Sequence, residues 1–328
     1  MLLNPIKICF LFLLLTLSLK AQVKPTRTIV AQDGSGDFKT IQQAINAVRD
    51  HSQTKVTIYI KNGVYQEKLV IPAWKKNIAL VGESREKTII TGQDYSGKVL
   101  SAADFTGELK YSTYTSYTVL MQANDCSLEN LTVENVAGRV GQAVALTIEA
   151  DRCIVKNCNL LGNQDTLYTS KDGRNYFENC LITGTTDFIF GEATVVFESC
   201  TLKSLSNSYL TAASTTKEQA FGYVFLNCKL IAAEGVNKVY LGRPWRPHAK
   251  TVFIRTEMGQ HIIAEGWHPW PGDPMFPNKE KTAYYAEYQN SGPGAATAKR
   301  VSWSKQLKKA EAKKYTLSNI FGNWNPTI

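Results

Sequence analysis

The sequence predicts an all-β fold, a right-handed single-stranded parallel β-helix with an N-terminal capping helix and a C-terminal helical tail. Three observations carry this prediction. A short pattern recurs along the chain, helical periodicity is absent over residues 119–239, and Gly, Asn, Asp and Thr fill the stretches between the recurrences. The pattern reads Asn130-Leu131-Thr132-Val133, Asn157-Cys158-Asn159-Leu160, Asn179-Cys180-Leu181-Ile182, Ser199-Cys200-Thr201-Leu202 and Asn227-Cys228-Lys229-Leu230. Its second positions lie 27, 22, 20 and 28 residues apart. Each unit sets a Cys or Leu and an aliphatic residue two positions on to the same side, which is strand period. Short strands at a steady twenty-odd-residue period suit a solenoid of stacked coils. A β-sandwich would instead favour turns every 8–12 residues and has no reason for this repeat.

The N-terminus comes first in order. Lys7 precedes an apolar run of twelve residues, 8–19, and Ala21 supplies a small residue at the expected cut. Residues 1–21 therefore read as a signal peptide, and 22–328 as one domain exported to the periplasm or the extracellular space. The run is too short for a bilayer span, which needs about 20 apolar residues, and no other segment would serve. Next, Thr40-Ile41-Gln42-Gln43 has capping-box form, and Ile41, Ala44, Ile45 and Val48 share one helical face. Residues 40–49 are expected to be a helix covering the end of the solenoid core. Residues 56–60 and 78–81 read as early coil strands. Beyond Gly266 the pattern breaks at Pro269, Pro271, Pro274 and Pro277, and a last helix is expected over 304–314, packed along the outside.

The repeat explains the cysteines. Cys158, Cys180, Cys200 and Cys228 hold one place in successive coils, and Cys126 and Cys153 match 27 residues apart. Coils about 4.8 Å apart would allow disulfides, but Cys also packs as a small buried hydrophobe. A ladder of free thiols is the expectation. Composition bounds the rest. The 328 residues carry a formal charge of +9, with 44% hydrophobic and 20% charged residues. A packed core is within reach and wholesale disorder is excluded. The excess of positive charge sits in the tail, where residues 299–314 hold seven basic residues against Glu311 alone. It reads as a solvated helix face with an attraction for polyanions, not as the mark of a catalytic groove. Basic residues interleaved with aromatics are missing, so no nucleic-acid partner is expected.

The chemistry rests on two carboxylates. Asp165 lies seven residues after Cys158, and Asp187 lies seven after Cys180. Equal offsets put them on one face of adjacent coils, about 5 Å apart by the strand spacing. Their flanks are apolar or aromatic, which should separate their pKa values. Spacing alone leaves two readings open: a catalytic acid pair, or a ladder of turn-forming aspartates. The sequence has no G-x-S-x-G elbow, no H-E-x-x-H and no regular Cys/His spacing. A serine esterase of the α/β-hydrolase kind is disfavoured, and no metal or cofactor is expected.

Five motifs then carry a resemblance. They are Gly63-Val64-Tyr65-Gln66-Glu67, Gln142-Ala143-Val144-Ala145-Leu146, Gln164-Asp165-Thr166-Leu167-Tyr168, Asp187-Phe188-Ile189-Phe190-Gly191 and Leu241-Gly242-Arg243-Pro244-Trp245. In this order they resemble the pectin methylesterase (pectinesterase) family, carbohydrate esterases built on a parallel β-helix. The resemblance covers nearly all of residues 28–326. It implies that Asp187 is the nucleophile, Asp165 the acid/base, Gln142 and Gln164 the oxyanion donors, and Arg243 the partner of Asp187. It implies Trp245 as a sugar-stacking residue. Tyr168 and Phe190, one coil apart, either line the groove or pack, and Trp267 either walls the cleft or packs in its Pro-rich loop. The implied substrate is methyl-esterified homogalacturonan, and the chain is expected to act as a monomer. Arg243 is expected to lower the pKa of Asp187 and keep it ionised. A retaining glycosidase shares the carboxylate spacing, but amide donors suit an oxyanion better than an oxocarbenium ion. A non-catalytic carbohydrate-binding solenoid would need no paired acids.

Overall fold

The computed structural model describes residues 26–104 and 106–327, so the expected signal peptide at 1–21 lies outside the described residues. Every third strand returns to the same sheet. Three sheets result, with eleven, eight and seven strands, and all their pairings are parallel. This is the parallel β-helix that the repeat predicts. A representative coil runs through strands Arg174–Glu178, Leu181–Gly184 and Ile189–Gly191, each paired in register with its equivalent one coil on.

The recurring motif turns out to be a corner followed by a strand. Asn130, Asn157, Asn179, Ser199 and Asn227 all adopt left-handed backbone, with φ between 52° and 54°. Asparagine tolerates this conformation better than most residues, which accounts for its recurrence. The side chains also link coils, since Asn157 Nδ2 donates to Asn130 Oδ1 at 2.9 Å and Asn179 Nδ2 to Asn157 Oδ1 at 3.2 Å. After each corner the aliphatic residues Val133, Leu160, Ile182, Leu202 and Leu230 stack in the core. Phe177, Phe197, Phe225 and Phe253 form a second inward column, their neighbouring ring centroids 4.3–4.9 Å apart.

The six cysteines among the described residues are all buried and free. Burial pushes the Cys126 thiol up to about 11 and raises Cys153, Cys158, Cys180 and Cys200 well above the ordinary range. Such thiols are poor nucleophiles. A thiol reagent should therefore find none of the six in the native protein and all six after denaturation without reductant. A shortfall after denaturation would reveal disulfides.

The capping helix spans Ile41–Ala47 with Thr40 as its N-cap. The reciprocal box expected from Thr40 and Gln43 is only half made: Thr40 Oγ1 accepts from the Gln43 N–H at 3.3 Å. Glu67 supplies the rest, its two oxygens accepting from the Ile41 and Gln42 N–H groups at 2.9 and 3.0 Å. At the other end Lys75 Nζ donates to the carbonyls of Asn46 and Val48. A carboxylate at the N-terminus and an ammonium at the C-terminus both satisfy orphan groups and match the dipole.

The tail departs from its expected form. Residues 304–314 are not one helix. Leu307 donates its N–H to Glu287 O at 2.9 Å and makes Lys305–Gln306 a short edge strand. Two short helices follow, Lys309–Ala312 and Leu317–Phe321. Ile320 and Phe321 then pack on the outer face of the large sheet with Val196, Val224 and Ile254. Arg300 leaves the basic face altogether. Its side chain is 4% exposed and grips Glu287, with Nε–Oε1 at 2.8 Å.

Candidate active site

Both aspartates occupy the corner between the eight-stranded and seven-stranded sheets. Leu167 pairs with Ile189, so Asp165 and Asp187, two residues earlier, share one register position. Each sits in left-handed backbone, with φ of 64° and 48°. Neighbouring coils fix that backbone: the Asp165 N–H donates to Thr186 O at 3.1 Å, and the Asp187 N–H to Tyr209 O at 2.9 Å. The two residues are 8% and 6% exposed. The same left-handed turn recurs at the structural corners Asn157 and Asn179, and aspartate, like asparagine, tolerates it.

Arg243 follows the strand Tyr240–Gly242, two coils beyond Asp187. Its guanidinium meets Asp187 as a fork, Nε–Oδ1 at 3.0 Å and Nη2–Oδ2 at 2.6 Å. Two aromatic rings hold the guanidinium, Tyr209 at 4.0 Å and Trp270 at 3.6 Å from Cζ to ring centroid. Gly242 permits this approach, since a Cβ there would meet Thr211 Oγ1 at 2.0 Å. Gly191 in the neighbouring motif has φ 122°, and a Cβ there would come as close to Thr169 O. Both glycines are thus required by close contact between coils.

Burial raises the pKa of Asp165 well above the ordinary carboxylate range, and the charge of Asp187 adds to it against the opposing pull of Arg243. Asp187 differs from the expectation. Burial raises it too and outweighs Arg243, whose hydrogen bonds and charge pull it back down. Asp187 is therefore not below the usual range. The order of ionisation is still set: Arg243 hydrogen-bonds Asp187 but reaches Asp165 only through its charge, so Asp187 loses its proton first.

Gln142 and Gln164 come together as well. They form a parallel bridge between adjacent coils, and the Ala143 N–H donates to Gln164 O at 3.1 Å. An aromatic platform continues along the outside of the seven-stranded sheet. Tyr168 stacks on Phe190 at 4.6 Å, Phe190 meets Trp245 edge-on at 5.9 Å, and Tyr114 of the 106–118 loop lies 5.4 Å from Tyr168. Phe190 is 4% exposed and mainly packs, against Val144 and Ala212, whereas Tyr168 and Trp245 are half-buried.

Trp267 is corrected. It is fully buried in the core, its ring 4.5 Å from Tyr285, with Nε1 donating to Glu287 Oε1 at 3.3 Å. It does not wall the groove. Trp270, three residues on, is the tryptophan at the site. Its backbone is left-handed at φ 56° and donates to His268 Nδ1 at 3.1 Å. Tyr209 and Trp270 escaped the sequence reading. Tyr209 shares the register column of the two aspartates but stands nine residues after its cysteine, because its coil is longer.

A clamped carboxylate, a neighbouring buried acid and a bridged pair of glutamines thus lie beside an aromatic platform on one face of the parallel β-helix. Comparison with known proteins places this architecture in a family. The pectinesterase family model matches residues 27–323. The chain is 38% identical over 315 residues to a probable pectinesterase/pectinesterase inhibitor of Arabidopsis thaliana, covering 91% of this chain and 52% of the relative. It is 37% identical to pectinesterase 3 of Solanum lycopersicum, covering 84% of this chain and 50% of the relative. The chain thus spans about half the length of the curated relatives it matches. Among solved structures it superposes on pectin methylesterase from carrot with TM-score 0.82 at 34% identity, covering 92% of this chain and 96% of that one. For PemA of Erwinia chrysanthemi the TM-score is 0.79 at 33% identity, with 92% and 98% covered. The chain belongs to the pectinesterase family.

Proposed function

We propose that this chain hydrolyses the C6 methyl esters of homogalacturonan, releasing methanol and leaving pectate. The observation that carries the reading is the bidentate Arg243–Asp187 pair one coil from the buried Asp165. A similar solved pectin methylesterase, at 32% identity and TM-score 0.78, is in complex with a hexasaccharide. An extracellular polymer as substrate also agrees with the export expected from residues 1–21.

The chemistry runs in two halves. An Asp187 oxygen attacks the ester carbonyl, and the amides of Gln142 and Gln164 donate to the oxyanion that forms. Collapse breaks the C–O bond to the methoxy group while Asp165 gives that oxygen its proton. Methanol leaves and an acyl anhydride joins Asp187 to the sugar. Asp165, now a carboxylate, takes a proton from water, and the hydroxide attacks the anhydride. The free uronic acid departs and gives its proton to solvent, Asp187 is a carboxylate again and Asp165 is again protonated. Neutral amides suit this site because a further cation there would compete with the reaction for the Asp187 carboxylate.

Two predictions follow from these roles. Gln164→Ala or Gln142→Ala should lower kcat by about 10²–10³-fold, the usual loss of one oxyanion donor, with KM little changed. Equal loss in KM would mean that the amides only bind substrate. Arg243→Lys should move the acid limb of the kcat/KM profile to higher pH. The arginine fork pulls Asp187 down against burial, and a lysine cannot reproduce it. An unmoved limb would remove Arg243 from this role.

The deciding assay compares methanol release from methylated pectin with release of acetate from acetylated pectin, while polymer length is followed. Methanol without chain shortening is the expected result. Shortening without methanol would make the protein a glycosidase. Binding with neither reaction would make it a carbohydrate-binding solenoid.

A further inference from the structure

Lys279 has no part in the reaction above, yet it is the most buried ammonium described. Its side chain is 0% exposed. Nζ contacts Asp273 Oδ2 at 2.7 Å and donates to the Trp245 carbonyl at 3.4 Å. It also lies 4.5 Å from the ring centroid of Trp270, the same ring that carries Arg243 at 3.6 Å. The charged groups facing it are Asp273, Arg246 and Arg243. Four contacts in series thus join Asp273 to Lys279, Lys279 to Trp270, Trp270 to Arg243, and Arg243 to Asp187.

The surrounding loop is made to be stiff. Pro269, Pro271, Pro274 and Pro277 restrict it, and Asp273 Oδ1 accepts from the Met275 and Phe276 N–H groups at 3.0 and 3.2 Å. Arg246 lies over both Trp245 and Phe276, 4.6 and 5.1 Å from their centroids. The loop is therefore bolted to the segment that holds Arg243. Burying an ammonium, with its carboxylate partner half-buried, is a costly way to do this. Apolar side chains of similar volume commonly serve stability as well or better. What Lys279 offers beyond packing is direction: an ammonium reaches a carbonyl, a carboxylate and a ring face at once.

We propose that Lys279, held by Asp273, is a positioning residue: it fixes Trp270, and through Trp270 it aims the fork of Arg243 at Asp187. The kinetic part of this inference rests on the esterase reading, and the structural part does not.

The test uses Lys279→Met and Asp273→Asn in the full chain. Four quantities are read: kcat and KM on methylated oligogalacturonides, the acid limb of the pH profile, the thermal midpoint, and the Arg243 Nε–H signal by ¹⁵N NMR. Both variants should lose at least about tenfold in kcat, toward the roughly 10²-fold that a 1 Å misplacement costs, with KM little changed. The acid limb should move to higher pH, because a loosened fork lets burial raise Asp187 further. The Arg243 Nε–H should lose its protection from exchange. In an Arg243→Lys background, Lys279→Met should add little, since both act through one contact. Unchanged kcat per folded molecule with only a lowered thermal midpoint would overturn the proposal, as would additive losses in the double variant. Should Lys279→Met not fold, Asp273→Asn decides by the same readings. A wild-type protein that releases no methanol would defeat the esterase reading, while the Nε–H signal would still judge the brace.

Discussion

Asp187→Asn should cut methanol release by about 10⁴-fold or more, the scale on which loss of a covalent nucleophile is felt. The amide is nearly isosteric and, like aspartate, accepts the left-handed backbone at φ 48°. It cannot form the anhydride. The coil should stay intact, because the Asp187 N–H bond to Tyr209 O involves only the main chain. Removing the carboxylate also takes away a group that burial disfavours in its charged form, which offsets part of the loss of its pairing with Arg243. Circular dichroism and oligosaccharide binding should therefore match wild type while turnover vanishes. A rate within tenfold of wild type would remove Asp187 as nucleophile.

Asp165→Asn should lower kcat by about 10²–10⁴-fold, the usual worth of a positioned proton donor and acceptor. The loss should depend on the leaving group. An activated aryl ester needs no proton to depart, so acylation should persist as a burst, and hydrolysis of the anhydride should then stall. A variant that turns over both esters alike would exclude Asp165 as the acid. The pH behaviour follows from its raised pKa. Wild-type turnover should fall at low pH as Asp187 gains a proton and at high pH as Asp165 loses one. Stability moves with the same group. A native pKa above the unfolded value gives stability that is whole below about pH 4 and is lost as pH rises toward the native value. Asp165→Asn has no such loss, so its thermal midpoint should exceed wild type at neutral pH, and by more as pH increases. An inactive but hardier variant is the trade expected where function holds a buried acid.

Much of this was legible because stacking imposes a period. Coils that must pair in register repeat their inward residues, so the Asn-Cys corners and the aliphatic column appear as a sequence pattern. The carboxylate pair was legible for the same reason, since the coils of Asp165 and Asp187 have equal lengths up to that corner. Legibility ended where lengths diverge. Tyr209 falls two residues later than the rule, and Trp270, Asp273 and Lys279 sit in a loop with no counterpart in other coils. Trp267 and Trp270 look alike in sequence, yet one enters the core and the other the site. In the tail, helix-forming residues outweighed one strand contact made by Leu307, which local propensity does not register.

The column that runs through Asp165, Asp187 and Tyr209 has a consequence for descent by duplication. A solenoid can gain a coil by copying one, because each coil meets only its neighbours. Added outside residues 142–243, such a copy would lengthen the groove and leave the chemistry in place. Added inside, it would part the glutamines, separate the acids by a further rung, or carry Arg243 out of reach of Asp187. Variation in chain length within this architecture should therefore collect at the two ends and in loops, and the five central coils should keep their number.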